Sequence, residues 1–168
     1  MYVITDRLSE SLTKAHFRVR TGTQLGAPTI RFVASKTIFI LAGLLLASTH
    51  IVIMEKDEAK PHDIDNLFDS GFKLAKRINH VPLLRGMQFG YVVMPLIIGK
   101  NPDAESLLYA ASAPVPHFGL AEFPVVVDLT RQQVAFYEGA TKMGGAIWPS
   151  MQKIVMKHIE PLVDEECS

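Results

Sequence analysis

His117 and Glu122 are the side chains in this sequence whose types and spacing best suit proton transfer. His117 lies in a proline-rich segment, and Glu122 follows it five positions later. An imidazole and a carboxyl group can act as an acid–base pair if the fold brings them together. Nothing nearby resembles a nucleophile held by a base, so the sequence favours an exposed loop here over a catalytic pair.

Glu58 and Lys60 have the Glu-x-Lys spacing that metal-dependent nucleases use. In such enzymes the glutamate and an upstream aspartate hold Mg²⁺, while the lysine helps to orient the attacking water. In this chain the nearest upstream carboxylates outside the acidic cluster at 55–58 are Glu10 and Asp6. Because a second ligand is missing, we favour a charged loop that leads into the next helix, with a nuclease-like enzyme as the alternative.

A possible metal site would lie at the start of a predicted helix. His62, Asp63 and Asp65 could supply nitrogen and oxygen ligands there. Acidic residues at this position more often cap a helix, and capping is the favoured interpretation. None of the six histidines is paired with another at two, three or four residues. The sequence therefore predicts no cofactor, and a metal site is the alternative to helix capping.

The longest apolar stretch runs from Thr37 to Met54, eighteen positions without a formal charge. As a helix it would span about 27 Å, close to the hydrocarbon thickness of a bilayer. Basic residues before it and acidic residues after it would place the N-terminus in the cytoplasm. A polar notch at Ser48, Thr49 and His50 and β-branched residues at both ends argue against a membrane helix.

Two buried strands joined by a short connection, or a strand and a short buried helix, fit this stretch equally well. We therefore favour a soluble, cytoplasmic protein in which the run lies in the core. A single-pass membrane protein that spans residues 37–54 is the alternative.

The composition is that of one ordinary globular domain. Hydrophobic residues make up 48% of the chain, and 17 basic residues balance 17 acidic ones. A zero net charge gives no general steering toward nucleic acid, and it leaves little repulsion to prevent self-association, most simply as a homodimer. The single cysteine, Cys167, allows neither an internal disulfide nor a thiolate zinc site, which is compatible with a reducing cytoplasm.

The charges are unevenly distributed along the chain. Residues 11–54 carry five positive charges and no negative one. A solvated surface strip is the favoured interpretation, and a contact with phosphate or lipid is the alternative.

The periodicity of the chain predicts a single α+β domain with a mixed, largely buried sheet. Two main amphipathic helices are expected at 63–79 and 149–163. Shorter helices are expected at 6–16 and 102–111, the second with Asn101 as its cap. Residues 1–28 form an N-terminal segment that need not belong to the core.

Strands are predicted at 17–20, 29–34 and 89–98. A C-terminal β-hairpin is predicted from 123–129 and 132–138. Because its tip has no glycine, we expect a four-residue loop around a type I turn braced by Asp128.

Overall fold

The chain folds around one mixed sheet of seven strands. The structure is a computed structural model that describes residues 2–27, 29–40, 45–78, 89–114, 120–139 and 147–165. The strands are β1 (Arg18–Thr21), β2 (Phe32–Ile40), β3 (Leu45–Glu55), β4 (Phe89–Gly99), β5 (Leu120–Glu122), β6 (Val125–Asp128) and β7 (Gln133–Phe136). The helices are α1 (Tyr2–Lys14), α2 (Pro61–Ile78), α3 (Ala104–Ala111), α4 (Trp148–His158) and α5 (Glu160–Glu165).

The sheet has the strand order β1-β2-β3-β4-β6-β7, and β5 also pairs with β4. The first three strands are antiparallel neighbours, and α2 then crosses over so that β4 runs parallel to β3. Both β5 and β6 run parallel to β4, whereas β7 turns back antiparallel to β6. The α+β class, the mixed sheet and the C-terminal hairpin are therefore confirmed.

The apolar run from Thr37 to Met54 forms the end of β2 and most of β3, apart from 41–44, which lie outside the described residues. The two strands pair along their length, and Ile51, Val52 and Ile53 have no exposed surface. The run is continuously apolar because helices pack on both faces of this part of the sheet. In the part of the chain that the structure describes, no helix is long and apolar enough to cross a membrane.

Helices on the two faces of the sheet enclose two apolar cores. One core lies between the sheet and α1, α4 and α5, and it includes Leu8, Leu12 and Met151. The other lies between the sheet and α2 and α3, and it includes Ile64 and Ala110. Side chains of each strand alternate between the two faces of the sheet, as the pleat requires.

The predicted C-terminal helix at 149–163 is confirmed, although the structure divides it into α4 and α5 at Ile159. α4 ends at His158, and α5 begins at Glu160. Pro161 accounts for the break, since proline has no N–H for the carbonyl four residues earlier and its ring clashes with that carbonyl. Apolar side chains of both helices are nevertheless buried in the core, among them Val155, Leu162 and Val163.

The helices predicted at 6–16, 63–79 and 102–111 correspond to α1, α2 and α3. α2 confirms the helix expected at 63–79, although Asn79 lies outside the described residues. The predicted cap of α3 is wrong: Asp103, not Asn101, occupies the N-cap, where its carboxylate accepts from the Glu105 N–H at 3.2 Å. A carboxylate fits this place because it bonds an unpaired N–H of the first turn.

Candidate functional site

The Glu-x-Lys residues lie in the connection between β3 and α2. Glu58 and Lys60 are both exposed. Among the described residues, no group of three or more histidine, cysteine, aspartate or glutamate side chains is arranged to hold a metal ion. A nuclease-like role for Glu58 and Lys60 stays a prediction from the sequence.

Asp63 makes the contacts of a helix cap. Its carboxylate accepts from the Lys60 N–H at 2.9 Å and from Lys56 Nζ at 2.7 Å, and His62 Nε2 lies 3.4 Å away. Burial works to raise the pKa of Asp63, but the hydrogen bonds from Lys56 and Lys60 and the nearby positive charges hold that pKa below its ordinary value. The return bond from residue 63 to the N–H of residue 60 is half of a capping box.

Asp65 and Glu122 lie near each other where α2, α3 and β5 meet. The Tyr109 hydroxyl of α3 donates to Asp65 Oδ1 at 2.7 Å. Burial, followed by the negative charges of Asp65 and Asp69, raises the pKa of Glu122 to about 7. Its Oε1 is buried and has no hydrogen-bond partner within the described residues. A carboxyl group that titrates near neutral pH can both donate and accept a proton.

The other half of the predicted acid–base pair, His117, lies outside the described residues. The pairing of His117 with Glu122 therefore stays a prediction. What the fold adds is a physical reason for the raised pKa of Glu122: burial of the carboxyl group, followed by the negative charges of Asp65 and Asp69 in α2.

Glu122→Gln is expected to stabilise the fold by up to about 1–2 kcal/mol at about pH 8, a figure reduced for the partial exposure of the site. At about pH 5 the substitution should have little effect. The folded pKa of about 7 lies above the ordinary 4.5. The protonated Glu122 carboxyl group therefore makes its full contribution to the free energy of unfolding below pH 4.5, and this contribution is lost as the pH rises through 7. Urea unfolding of both proteins at each pH measures the difference.

The exposed α3 residue Glu105 provides the matched control for that experiment. Glu105→Gln also removes one negative charge, but from a solvated position. If Glu105→Gln reproduced the pH-dependent gain, general charge repulsion and not the burial of Glu122 would be its cause.

A row of polar side chains crosses the sheet on the side of α2. Arg18, Ser35 and His50 stand opposite one another in β1, β2 and β3. Ser35 and His50 are each two positions from a valine in the same strand, Val33 and Val52, and residues two apart in a strand share a face. Both valines pack in the core beneath α2, so the row lies on the same side of the sheet as α2. Exposure falls along the row from the edge inward: Arg18 is exposed, Ser35 is half-buried and His50 is buried.

His50 is fixed by hydrogen bonds at both ring nitrogens. Its Nδ1 lies 3.0 Å from Ser35 Oγ, and its Nε2 lies 2.8 Å from Ser48 Oγ. Burial lowers the pKa of His50 to about 4, so the ring is neutral at neutral pH. A histidine between two hydroxyls has the outline of a nucleophile and its base, but so low a pKa makes a weak base. We interpret the ring as a group that orients the two serines.

Sequence reasoning identified Ser48 and His50 only as a polar interruption of an apolar run. Their spacing of two in a strand already places them on one face. The third member, Ser35, is brought to them by the pairing of β2 with β3, which no local pattern specifies.

A groove with a volume of about 530 Å³ runs between α3 and β7. The side chains that line it include Leu107, Leu108 and Ala111 from α3 and Gln133 to Gly139 from the β7 segment. Leu108 is 69% exposed, which is high for a large apolar side chain. β7 ends the sheet order, and no strand of the described residues pairs with its outer side.

No protein-family model, curated protein or solved structure matches this chain. The fold and the contacts described above are therefore the basis on which a function can be proposed.

Proposed function

We propose that this chain is a binding module that self-associates as a homodimer by pairing β7 of one copy with β7 of another. The observation that carries the proposal is the outer side of β7, which no described strand covers, together with the apolar groove beside it. Unpaired backbone N–H and C=O groups on an edge strand are a template for a further strand.

The opposite edge of the sheet is less suited to self-pairing. β1 carries the exposed cations Arg18 and Arg20, and charged side chains discourage strand addition at an edge. β7 consists of Gln133, Val134, Ala135 and Phe136 and has no charge. The proposal therefore concerns β7 alone.

Charges at the two ends of β7 are complementary under twofold symmetry. Exposed Arg131 precedes the strand, and exposed Glu138 follows it. When two such strands pair antiparallel, the start of one lies beside the end of the other, so each Arg131 approaches the Glu138 of the second copy. Arg131 also pairs with Asp128 at 3.1 Å, yet its side chain stays 62% exposed and can contact a second carboxylate.

Leu108 adds an apolar contribution to the same surface. It projects from α3 into the groove beside β7, so a second copy that pairs along β7 would cover part of it. Covering a large aliphatic side chain contributes up to about 2 kcal/mol per copy.

Sedimentation equilibrium at micromolar to submillimolar concentration is expected to show a species of twice 18.6 kDa. Glu138→Arg should weaken the dimer by placing like charges at both ends of the paired strands, and Leu108→Glu should weaken it by charging the groove. Adding Arg131→Glu to Glu138→Arg restores opposite charges and should recover much of the lost association.

Met156→Asp on α4 is the matched control for the interface. Met156 is 58% exposed and offers the alternative surface on the final helices. We expect this variant to dimerise like the parent. A monomer at every concentration would overturn the proposal, and a dimer broken only by Met156→Asp would move the interface to α4.

A further inference from the structure

We propose that the polar row of β1, β2 and β3 binds one phosphate group of a small phosphorylated molecule. The groups that would contact the phosphate are the guanidinium of Arg18 and the hydroxyl of Ser35, with Arg20 and Thr37 at the sides. This site is on the face of the sheet that carries α2, and it is separate from the β7 edge at the other end of the strand order.

The two arginines of β1 are available to an anion. Arg18 and Arg20 are exposed, and they lie on one face because they are two positions apart in a strand. Neither has an ion-pair partner among the described residues. By contrast, two other basic residues of the 11–54 region already have partners. Arg31 contacts Asp6 at 3.4 Å, and Lys36 Nζ donates to the Ala15 carbonyl at 2.8 Å. Guanidinium groups match the oxygens of phosphate in geometry and charge.

Hydrogen bonding around His50 leaves the Ser35 hydroxyl hydrogen directed outward. Ser48 is 3% exposed, and within the described residues His50 Nε2 is the acceptor that its hydroxyl reaches, at 2.8 Å. A buried hydroxyl is expected to donate, so Ser48 donates to Nε2. A neutral ring then carries its proton on Nδ1 and donates to Ser35 Oγ. The O–H of half-buried Ser35 is thereby free to donate to a ligand on the solvent side.

The position of these groups defines the size of the ligand. Arg18 stands directly opposite Ser35, and cross-strand neighbours on one face have Cβ atoms about 5 Å apart. One tetrahedral phosphate can therefore contact both side chains. Thr37 is exposed two positions further along β2 on the same face. The zero net charge of the chain and the small number of unpaired arginines favour a single phosphate over a polynucleotide backbone.

The test is a titration of the full chain with inorganic phosphate at constant ionic strength, in which amide chemical shifts report the binding. We expect saturable binding, with the largest shifts in β1 and in β2 near Ser35. Ser35→Ala should weaken binding about tenfold, which is the value of one lost hydrogen bond to a charged group. Ser35→Thr should retain binding because it keeps the hydroxyl, and Arg18→Gln should weaken it by about tenfold or more.

Lys157→Gln on α4 removes the same charge from an exposed position on the opposite side of the sheet, and it should bind phosphate as the parent does. The unfolding midpoint of each variant is compared with that of the parent, so that a loss of phosphate-induced shifts can be assigned to the binding site and not to unfolding of the domain. Absence of saturable binding would overturn the proposal. So would binding that Ser35→Ala leaves unchanged, or a single-stranded oligonucleotide that binds far more tightly than phosphate.

Discussion

Replacing Gly71 with valine is expected to lower the free energy of unfolding by about 3 kcal/mol, because α2 can no longer lie against the sheet. A Cβ at this position would lie 2.6 Å from Val52 Cγ2 and 2.9 Å from Val93 Cγ1. Both valines are fully buried and cannot move aside without disturbing β3 and β4. Chemical denaturation of the variant and the parent measures the loss.

Two further variants separate the clash from other effects of valine in a helix. Lys73→Val places the same side chain at an exposed position of α2 and should cost less than about 1 kcal/mol. Adding Val52→Ala to Gly71→Val should restore part of the stability, because it removes the nearest methyl group. If the Gly71 and Lys73 variants lost equal stability, close contact between α2 and the sheet would not be the cause.

Ile154→Asp is expected to destabilise the domain by several kcal/mol, roughly the whole stability of an ordinary domain. Ile154 is 9% exposed and packs in the core beneath α4 together with Met151 and Val155. A carboxylate at this position would lie among the apolar side chains of that core, so folding would have to bury a charge or force its protonation. Thermal unfolding followed by circular dichroism measures the effect.

Met156→Asp is the control because it adds the same charge to the same helix at a position that is 58% exposed. Its melting temperature should stay close to that of the parent. An unchanged melting temperature for Ile154→Asp would mean that this face of α4 does not contribute to the core.

The interpretations that the structure confirms are those that depend on spacing along the chain. The buried positions of α2, such as Ile64, Leu67 and Leu74, recur at helical intervals and were sufficient to identify the helix. The hairpin loop could be predicted for the same reason. The side chain of Asp128 accepts from the N–H groups of Thr130 and Arg131, and the pairing of residue 128 with residue 133 leaves the expected four residues between them.

Contacts local in sequence also explain Asp63. Its bond to the N–H of residue 60 closes a single turn, so a pattern of acidic residues at a helix start was enough to favour a cap over a metal ligand. The cap of α3 was misplaced by two residues because Asn101 and Asp103 are both good caps, and only the backbone path after β4 selects between them.

Only the tertiary structure decided the features that carry the proposals. The pKa of Glu122 is raised by burial and by Asp65 and Asp69, which the α2 crossover brings to β5 from more than fifty positions earlier. Ser35 reaches His50 through one particular register of β2 on β3, and a slip of one residue would turn it to the other face. Sequence periodicity specifies which side of an element is buried, because that depends on a repeat along one segment. It does not specify which elements become neighbours, because that depends on strand order and register across the whole sheet.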